Sequence, residues 1–303
     1  MLALALILDA WLGEPGWLWQ RIRHPIVAIG GLISWLDRWL NKGGMRQLKG
    51  AFAVCALLAL TLPLPVILYV FAQGWILEII GAAILLAHRS LVDHVLAVAD
   101  ALDLSLADGR HAVSQIVGRD PETLDETGVC RAAIESAAEN FSDGVIAPAF
   151  WFALAGLPGI VAYKAVNTAD SMIGHKNVRY RDFGWAAARL DDLMNWIPAR
   201  MTGYLFLAAG GRLAAASRMH RDAPGHRSPN AGWPEAAMAS VLDVALAGPR
   251  VYGGALTDDP FMNPDGRHKV EPDDIRAAVR LLWRAWAAAL CIAAVVALIR
   301  FVV

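Results

Sequence analysis

The sequence has little charge for its length. Asp, Glu, Lys and Arg make up 18% of its 303 residues, whereas they make up about 25% of an ordinary soluble domain. Because the formal net charge is only −1, the chain has no basic field for a phosphate backbone, and we expect no nucleic-acid partner. Hydrophobic residues reach 57%. This balance indicates a membrane protein with the lipid bilayer as a partner.

Cysteines and nucleotide-binding motifs are also scarce. Cys55, Cys130 and Cys291 are an odd set at unrelated spacings, which indicates neither a disulfide framework nor a thiolate metal site. The sequence contains no Gly-x-x-x-x-Gly-Lys-Ser/Thr loop, no Gly-x-Gly-x-x-Gly and no His-Glu-x-x-His helix. If ATP binds, it therefore binds through another arrangement of residues.

Long apolar segments are present instead. Residues 51–71 carry no charge and are long enough to span a bilayer, with their two prolines tolerable as a kink. Residues 75–95 follow a break at Ala72-Gln73-Gly74 and predict the return arm of a helical hairpin. Residues 285–303 predict a C-terminal span. The region 218–270, rich in Pro, Gly, His and Asp, predicts loops.

One apolar segment contains a break. Residues 145–166 would pass a hydropathy test, but Gly156-Leu157-Pro158-Gly159 splits them into halves of about ten residues. Each half is too short to cross about 30 Å of hydrocarbon, so we predict a re-entrant or buried helical hairpin. Such a hairpin would place the polar stretches on its two sides at the same face of the membrane.

The basic residues before the first span set the predicted orientation. Lys42, Arg46 and Lys49 precede it, so the positive-inside rule places this flank in the cytoplasm. The sequence therefore predicts an all-α integral membrane protein of the cell (inner) membrane. We expect a single membrane-embedded domain, 1–303, forming a helical bundle with three to five membrane segments and a polar active site on the cytoplasmic side.

A first polar cluster precedes the broken segment. Arg131, Glu135 and Glu139 are four residues apart and share one face of a predicted helix, and Asn140 and Asp143 follow. One interpretation is a solvated stripe in which Arg131 screens Glu135. The other is a functional site, which is favoured because the polar residues Asn140 and Asp143 follow directly in the sequence.

A second polar cluster follows the broken segment. Asn167, Asp170 and Ser171 share a helical face, and Lys164 and Lys176 flank them. Oxygen ligands beside two lysines suit Mg²⁺ with phosphates, because this ion usually takes one or two carboxylates and fills its other positions with water and phosphate oxygens.

A third polar cluster leads into an apolar run. Asp191, Asp192 and Asn195 precede Pro198 and Arg200. Helix capping is the structural alternative, since Asn and Asp near helix ends accept backbone hydrogen bonds and proline suits a first helical turn. Capping explains one such cluster more readily than three. Arg200 is costly in lipid unless it faces protein, water or an anion.

These clusters belong to a set of stretches that together resemble a known family. The stretches are Gly13-Glu14-Pro15 with His24-Pro25 and Gly30, Ile116-Val-Gly-Arg-Asp120, Glu135-Ser-Ala-Ala-Glu139-Asn140 to Asp143-Gly144-Val145, Tyr163-Lys164-Ala-Val-Asn167-Thr168 to Met172, Arg189-Leu-Asp191-Asp192 to Arg200, and Ser228-Pro-Asn230-Ala-Gly232-Trp-Pro234-Glu235. In this order, over nearly the whole chain, they resemble the CobD/CbiB adenosylcobinamide-phosphate synthases of cobalamin biosynthesis. Glu14 stands where the family usually has aspartate, and His175 where an aromatic is common.

The resemblance implies an ATP-dependent amide ligation. A carboxyl group of the corrinoid adenosylcobyric acid would be joined to (R)-1-aminopropan-2-ol or its O-phosphate. Since a carboxylate is a poor acyl donor, ATP would convert it to an acyl phosphate that the amine attacks. Such phosphoryl transfer depends mainly on positioning and charge neutralisation, with Mg²⁺ as the metal. A homo-oligomer, or contact with later membrane enzymes of the corrinoid pathway, would fit the same role.

Residue chemistry assigns roles within the clusters. The predicted magnesium ligands are Glu139, Asp143 and Asp170. The predicted phosphate and nucleotide contacts are Lys164, Ser171, Lys176 and Arg200. The other predicted catalytic residues are Glu135, Asn140, Asn167, Asp191 and Asp192, with catalytic roles also for Glu139 and Lys164.

Two other functions fit parts of the pattern. A magnesium-pyrophosphate-dependent membrane transferase would use Asn167-x-x-Asp170 and Asp182 as its diphosphate site, and it predicts full spanning helices around an isoprenoid pocket. A non-enzymatic membrane sensor or carrier would line a path with the same polar clusters. Hydrolysis of ATP that depends on a corrinoid acid separates the three functions.

Overall fold

A computed structural model describes residues 1–71, 74–118, 121–252, 255–257 and 259–302. Its helices are α1 (Leu2–Leu12), α2 (Gly16–Trp19), α3 (Pro25–Leu40), α4 (Arg46–Thr61), α5 (Pro63–Phe71), α6 (Trp75–Leu85), α7 (His88–Leu102), α8 (Leu106–Val113), α9 (Glu126–Phe141), α10 (Ala147–Ile173), α11 (Trp185–Ala209), α12 (Ala216–Asp222), α13 (Gly232–Leu242) and α14 (Pro272–Val302). Its strands are β1 (Leu246–Ala247), β2 (Arg250–Tyr252), β3 (Ala255–Thr257) and β4 (Phe261–Met262). The predicted break at Ala72 and Gln73 lies outside the described residues, as do Arg119 and Asp120.

The fold is all-α and suited to a membrane, as predicted. Four helical segments of the described chain are long and apolar enough to cross a bilayer: Arg46–Tyr69, Trp75–Leu102, Glu126–Ile173 and Pro272–Ile299. This number lies within the predicted three to five membrane segments. The strands form two small antiparallel pairs, β1 with β4 and β2 with β3.

The chain divides into two compact units. The first comprises Met1–Ala87 and Ala147–Asn195, and the second comprises His88–Ile146 and Trp196–Val303. Each unit has its own buried core. The assignment of residues 1–303 to a single domain stays a prediction.

The core of the first unit forms where α3, α4, α10 and the segment leading into α11 meet. On α3, Ile29, Ile33 and Leu36 are buried at spacings of four and three residues, which places them on one helical face. They pack with side chains of the other elements, namely Ala53, Val54, Leu57, Ala165, Ala169, Ile173, Phe183 and Ala187. This core holds the second half of α10 in place.

The core of the second unit contains an aromatic cluster. His88 at the start of α7 is fully buried, and its ring centroid lies 4.5 Å from that of Trp283 and 5.6 Å from that of Trp286. The ring of Phe141 lies 5.8 Å away on α9. These ring contacts join α7, α9 and α14 around one buried imidazole.

The predicted hairpin of residues 51–71 and 75–95 consists of four helices. The first arm begins earlier, at Arg46, and breaks at Leu62, where Pro63 starts α5. Proline suits this first helical position because it lacks the N–H that a helix interior needs. The second arm breaks at Leu86, whose backbone is extended, before α7 begins at His88.

The broken segment 145–166 is longer than predicted. Its break is where the sequence places it, since Ala155 and Gly156 have non-helical backbone angles inside α10. The helical residues 157–173 nevertheless extend for about 25 Å, and on the other side α9 and the π-helix Ser142–Ile146 precede α10. The expected half-length of about ten residues is therefore wrong, because the polar flanks continue as helix.

Two further predicted boundaries are corrected. The region 218–270 is not only loop, because it contains α13 and the four strands. The C-terminal helix starts at Pro272 rather than residue 285. A hydropathy test of the sequence does not detect the first half of this helix, because charged residues there alternate with buried apolar ones such as Ile275 and Leu282.

Candidate active site

The second half of α10 presents a polar face in the first unit. Lys164, Asn167 and Ser171 are three, four and seven residues apart and therefore share one helical face. Lys164 and Asn167 are half-buried, while Ser171 is exposed. Within the helix, the Ser171 hydroxyl donates to the Asn167 carbonyl oxygen at 3.0 Å. The residues of the predicted face, Asn167, Asp170 and Ser171, all lie on this helix.

A buried carboxylate network joins this face to α11. The Asn167 amide donates to one oxygen of Asp191 at 3.2 Å, and the Asn195 amide donates to the other at 3.0 Å. Asn195 in turn accepts a hydrogen bond of 3.0 Å from the hydroxyl of the fully buried Tyr163. Asp191 is thereby fixed by side chains from two helices. Sequence reasoning assigned no role to Tyr163 or Asn195, because the hydrogen bond between them joins residues 32 positions apart.

The surroundings of Asp191 disfavour its charged form. Its pKa is raised to about 7, mainly by burial and also by the nearby charge of Asp170, while the hydrogen bonds from Asn167 and Asn195 act in the opposite direction. Two carboxyl groups that repel one another in this way favour either a proton or a bound cation. Asp170 and Asp191 therefore fit a magnesium site on electrostatic grounds.

Such a site would need oxygens from outside the protein. In the described part of the chain, no three His, Cys, Asp or Glu side chains form a group that could hold a metal ion. Magnesium commonly binds through one or two carboxylates and completes its shell with water and phosphate. The donor set therefore suits a magnesium-phosphate complex better than a metal cage made by the protein alone.

Asp192 and Lys176 lie beside this network. Burial raises the pKa of Asp192, and the positive charges of Arg189 and Lys176 oppose that rise. Arg189 lies 3.7 Å from the Asp192 carboxylate. Both aspartates belong to the interior of α11, and Pro198 lies within that helix rather than at its first turn. Helix capping is therefore the wrong explanation for this cluster.

His24 belongs to the N-terminal stretch of the family pattern and is influenced by the charge of Lys164. The charges of Glu14 and Lys164 both act on His24, whose pKa is lowered mainly by burial. Since the Nδ1 atom of His24 accepts from the backbone N–H of Ile26 at 3.2 Å, its Nε2 atom is the donor to the carbonyl oxygen of Ile84. His24 thus caps α3 at a position where it senses the charge of the lysine, and sequence reasoning left it without a role.

The first predicted cluster, from Arg131 to Asp143, lies in the second unit. Some of its side chains form hydrogen bonds within the protein. Glu135 is buried and accepts a hydrogen bond of 2.8 Å from the backbone N–H of Ala247. The Asn140 amide donates to the hydroxyl of Ser136 at 3.0 Å, and that hydroxyl donates to the carbonyl oxygen of Ile116. A fully solvated stripe is therefore wrong for Glu135. Arg131 is half-buried, and its guanidinium donates to the carbonyl oxygen of His268 at 2.8 Å.

Glu139 and Asp143 lie at the end of this cluster, where the helix changes form. Glu139 is exposed, and Asp143 is half-buried inside the π-helix Ser142–Ile146. Short π-helical turns often occur at functional sites, because the extra residue shifts side chains out of the regular helical face. The sequence predicted the acidic side chains but not this turn.

Arg200 lies between two indole rings of the second unit. Its guanidinium carbon is 4.5 Å from the ring centroid of Trp196 and 4.6 Å from that of Trp233. It donates to the carbonyl oxygen of Trp196 at 2.6 Å and to the side-chain oxygen of Asn230 at 3.4 Å. Both acceptors are uncharged, and burial lowers the pKa of Arg200. The cation is therefore oriented without being neutralised by these acceptors.

The predicted site residues divide between the units. The first unit contains Lys164, Asn167, Asp170, Ser171, Lys176, Asp191 and Asp192, and the second contains Glu135, Glu139, Asn140, Asp143 and Arg200. The structure brings Asn167, Asp170 and Asp191 together within the first unit. The joint magnesium set of Glu139, Asp143 and Asp170 stays a prediction.

Comparisons with a family model and with individual known proteins lead to the same family. The family model described as CobD/Cbib protein matches residues 2–282. The chain is 54% identical over 302 residues to the cobalamin biosynthesis protein CobD of Sinorhizobium fredii, covering 94% of this chain and 92% of that protein. It is 52% identical over 303 residues to CobD of Rhizobium meliloti, with coverage of 94% and 92%. It is 48% identical over 297 residues to CobD of Rhodobacter capsulatus, with coverage of 95% and 93%. No solved structure matches the chain.

Proposed function

Because this chain belongs to the CobD/CbiB family of cobalamin biosynthesis proteins, we propose that it is a membrane ligase forming a carbon–nitrogen bond. Its substrates would be adenosylcobyric acid, (R)-1-aminopropan-2-ol or its O-phosphate, and ATP with Mg²⁺. The products would be adenosylcobinamide or its phosphate, together with ADP and inorganic phosphate. Family membership supports the corrinoid pathway, and the reaction itself is our proposal.

The observation that carries the proposal is the Asp191 network. A free amine is protonated near neutral pH and must lose a proton before it attacks an acyl group. Asp191 has a pKa of about 7 and is held in place by Asn167 and Asn195, so its carboxylate suits the acceptance of that proton. In this role Asp191 would act on the amine, and only Asp170 of the pair would contact the metal.

The cationic residues suit the phosphate groups. ATP supplies the activation of the corrinoid carboxylate, and Mg²⁺ supplies positive charge to its phosphates. In the first unit, Lys164, Ser171 and Lys176 would contact phosphate oxygens. Arg200 would present its oriented guanidinium to an anion in the same reaction. Glu139 and Asp143 would complete the magnesium ligands, with Glu135 and Asn140 holding their helix in position.

The chain is a multi-pass membrane protein by the length and composition of its helices. We place its active face in the cytoplasm, because the basic residues Lys42, Arg46 and Lys49 flank the first span. This orientation would give the site access to cytoplasmic ATP.

Corrinoid-dependent ATP hydrolysis by the purified protein tests the proposal. With Mg²⁺ and either amine, nucleotide release should require adenosylcobyric acid, and mass spectrometry should detect the amide. Asp170→Ala should abolish both signals and leave a folded, membrane-inserted protein. The matched control Asp182→Ala removes an exposed carboxylate of the same unit and should retain activity. The transferase alternative requires the opposite result for Asp182, and corrinoid-independent hydrolysis would refute the ligase.

A further inference from the structure

Helix α3 has one buried face and one exposed aromatic face. Ile33 and Leu36 are buried in the core of the first unit. On the opposite side, Trp35 and Trp39 are 48% and 63% exposed, and their rings stack with centroids 5.6 Å apart. Arg38, three residues after Trp35, shares this exposed face. An exposed tryptophan pair beside a cation is typical of a helix at the membrane–water interface.

A basic pocket opens at the C-terminal end of this helix. Its volume is about 410 Å³, and its lining residues are Asp37, Arg38, Asn41, Lys42 and Arg179. Three of these five described residues are cations and one is a carboxylate. The pocket therefore has an excess of two positive charges.

Hydrogen bonds within the first unit fix the walls of this pocket. Arg179 donates to the buried Asp37 carboxylate at 2.6 Å, which neutralises the acidic group. Asn41 donates to the other oxygen of Asp37 at 2.8 Å. Arg46 donates to the side-chain oxygen of Asn41 at 2.8 Å and also contacts the carbonyl oxygen of Arg179. The exposed cations Arg38 and Lys42 consequently remain available at a preformed rim.

The pocket lies at the start of a membrane span. Arg46, whose guanidinium contacts the pocket residue Asn41, is the first residue of the candidate span Arg46–Tyr69. A phosphate bound here would thus sit at the depth where spanning helices meet lipid headgroups, with the stacked tryptophans beside it. Basic pockets at such positions bind anionic headgroups.

We propose that Arg38, Asn41, Lys42 and Arg179 form a binding pocket for the headgroup of an anionic phospholipid. The phosphate of the lipid contacts the cations, and its glycerol and acyl chains continue along the exposed tryptophan face of α3. The pocket is separate from the Asp191 network, and lipid binding here does not require the proposed ligase reaction. A soluble phosphate would use the cations alone, whereas a lipid uses the cations and the aromatic face.

Native mass spectrometry of the full chain in detergent tests this proposal. The probes are dioctanoyl phosphatidylglycerol, dioctanoyl phosphatidylcholine and inorganic phosphate. The anionic lipid should bind in preference to the other two. The double variant Arg38→Gln, Lys42→Gln should weaken its binding by about tenfold or more, since two of the three cations of the pocket are lost. Both side chains lie at the surface, so the melting temperature should not change.

Two further variants distinguish the pocket from general attraction. The matched control Arg21→Gln, Arg23→Gln removes two exposed cations from the same flank and should leave lipid binding unchanged. The charge-conserving variant Arg38→Lys, Lys42→Arg should bind the anionic lipid nearly as well as the unmodified protein. Equal losses in the two glutamine variants would overturn the proposal, as would phosphate competing as tightly as the lipid.

Discussion

At the scale of single residues, Asp191 makes the stability of the folded protein depend on pH. Its folded-state pKa is about 7, whereas an unfolded aspartate titrates at about 3.9. Between these values the folded protein retains a proton that the unfolded chain has released. Its contribution to stability is therefore complete below about pH 4 and is lost as the pH rises to about 7, by at most about 1.4 kcal/mol per pH unit.

Replacement of this carboxyl group should remove that dependence. Asp191→Asn keeps the shape of the side chain and has no titrating group, so its stability should vary less between pH 4.5 and 7.5 than that of the unmodified protein. Thermal unfolding without nucleotide or Mg²⁺ measures the difference, with Asp182→Asn as the control that keeps the slope. An unchanged slope in Asp191→Asn would show that the pH dependence has another source.

Arg200 gives a second prediction at this scale. Lysine in its place keeps the charge but loses the planar group that Trp196 and Trp233 orient. Arg200→Lys should weaken the binding of ATP or of the transition state by a free energy of about 1.5 to 3 kcal/mol. The free energy of unfolding should change by no more than about 2 kcal/mol, because of the lost ring contacts. The control Arg212→Lys changes an exposed arginine. If stability and activity fall in step while the folded fraction binds ATP normally, Arg200 is structural.

At the scale of elements, the break in α10 depends on Gly156. Its φ of 61° and ψ of −152° lie in a region that only glycine adopts without strain. A Cβ atom here would also lie 2.9 Å from a ring carbon of Tyr69. Gly156→Ala should therefore lower the free energy of unfolding by about 1 to 3 kcal/mol or more.

An exposed glycine provides the control for this change. Gly31 lies within α3, and no other group lies within 4 Å of the position that an alanine methyl group would occupy. Gly31→Ala should therefore be neutral or stabilise the protein by about 0.5 to 1 kcal/mol. Thermal unfolding in detergent compares the two variants. Equal stability of Gly156→Ala and the unmodified protein would contradict a break that requires glycine.

The flanks of the broken segment give a prediction about topology. Although its halves are longer than predicted, a chain that turns back at the Gly156 break would still return to the side it started from. We therefore expect both flanks to be cytoplasmic, so that a polar reagent labels cysteines at Asn140 and Val178 from that side. Both positions are exposed, whereas Ser142 is buried and would report poorly. In a cysteine-free background, Tyr69→Cys at the far end of the first span should be labelled from the other side. Labelling of Asn140→Cys and Val178→Cys from opposite sides would separate the proposed ligands by a bilayer.

At the scale of the whole molecule, the sequence was sufficient for the class of fold and for the family. Uncharged residues 51–71 and the Gly156 break could be read directly, because lipid requires long apolar helices and only glycine tolerates that backbone. Helix lengths were underestimated where Lys164 and Asn167 continue a helix into polar sequence. The hydrogen bond between Tyr163 and Asn195 could not be read, because it depends on the packing of α10 against α11.

The proposed ATP-driven amide ligation is tested most directly by following the transfer of an oxygen atom from the corrinoid carboxyl group to phosphate. Adenosylcobyric acid labelled with ¹⁸O in its free carboxyl group is incubated with the purified protein, Mg²⁺, ATP and either amine. If ATP activates the carboxylate, one labelled oxygen per amide formed should appear in the released phosphate, and Asp170→Ala should release none. Amide formation with no label in any phosphate-containing product, or no amide with either amine, would contradict the proposed reaction.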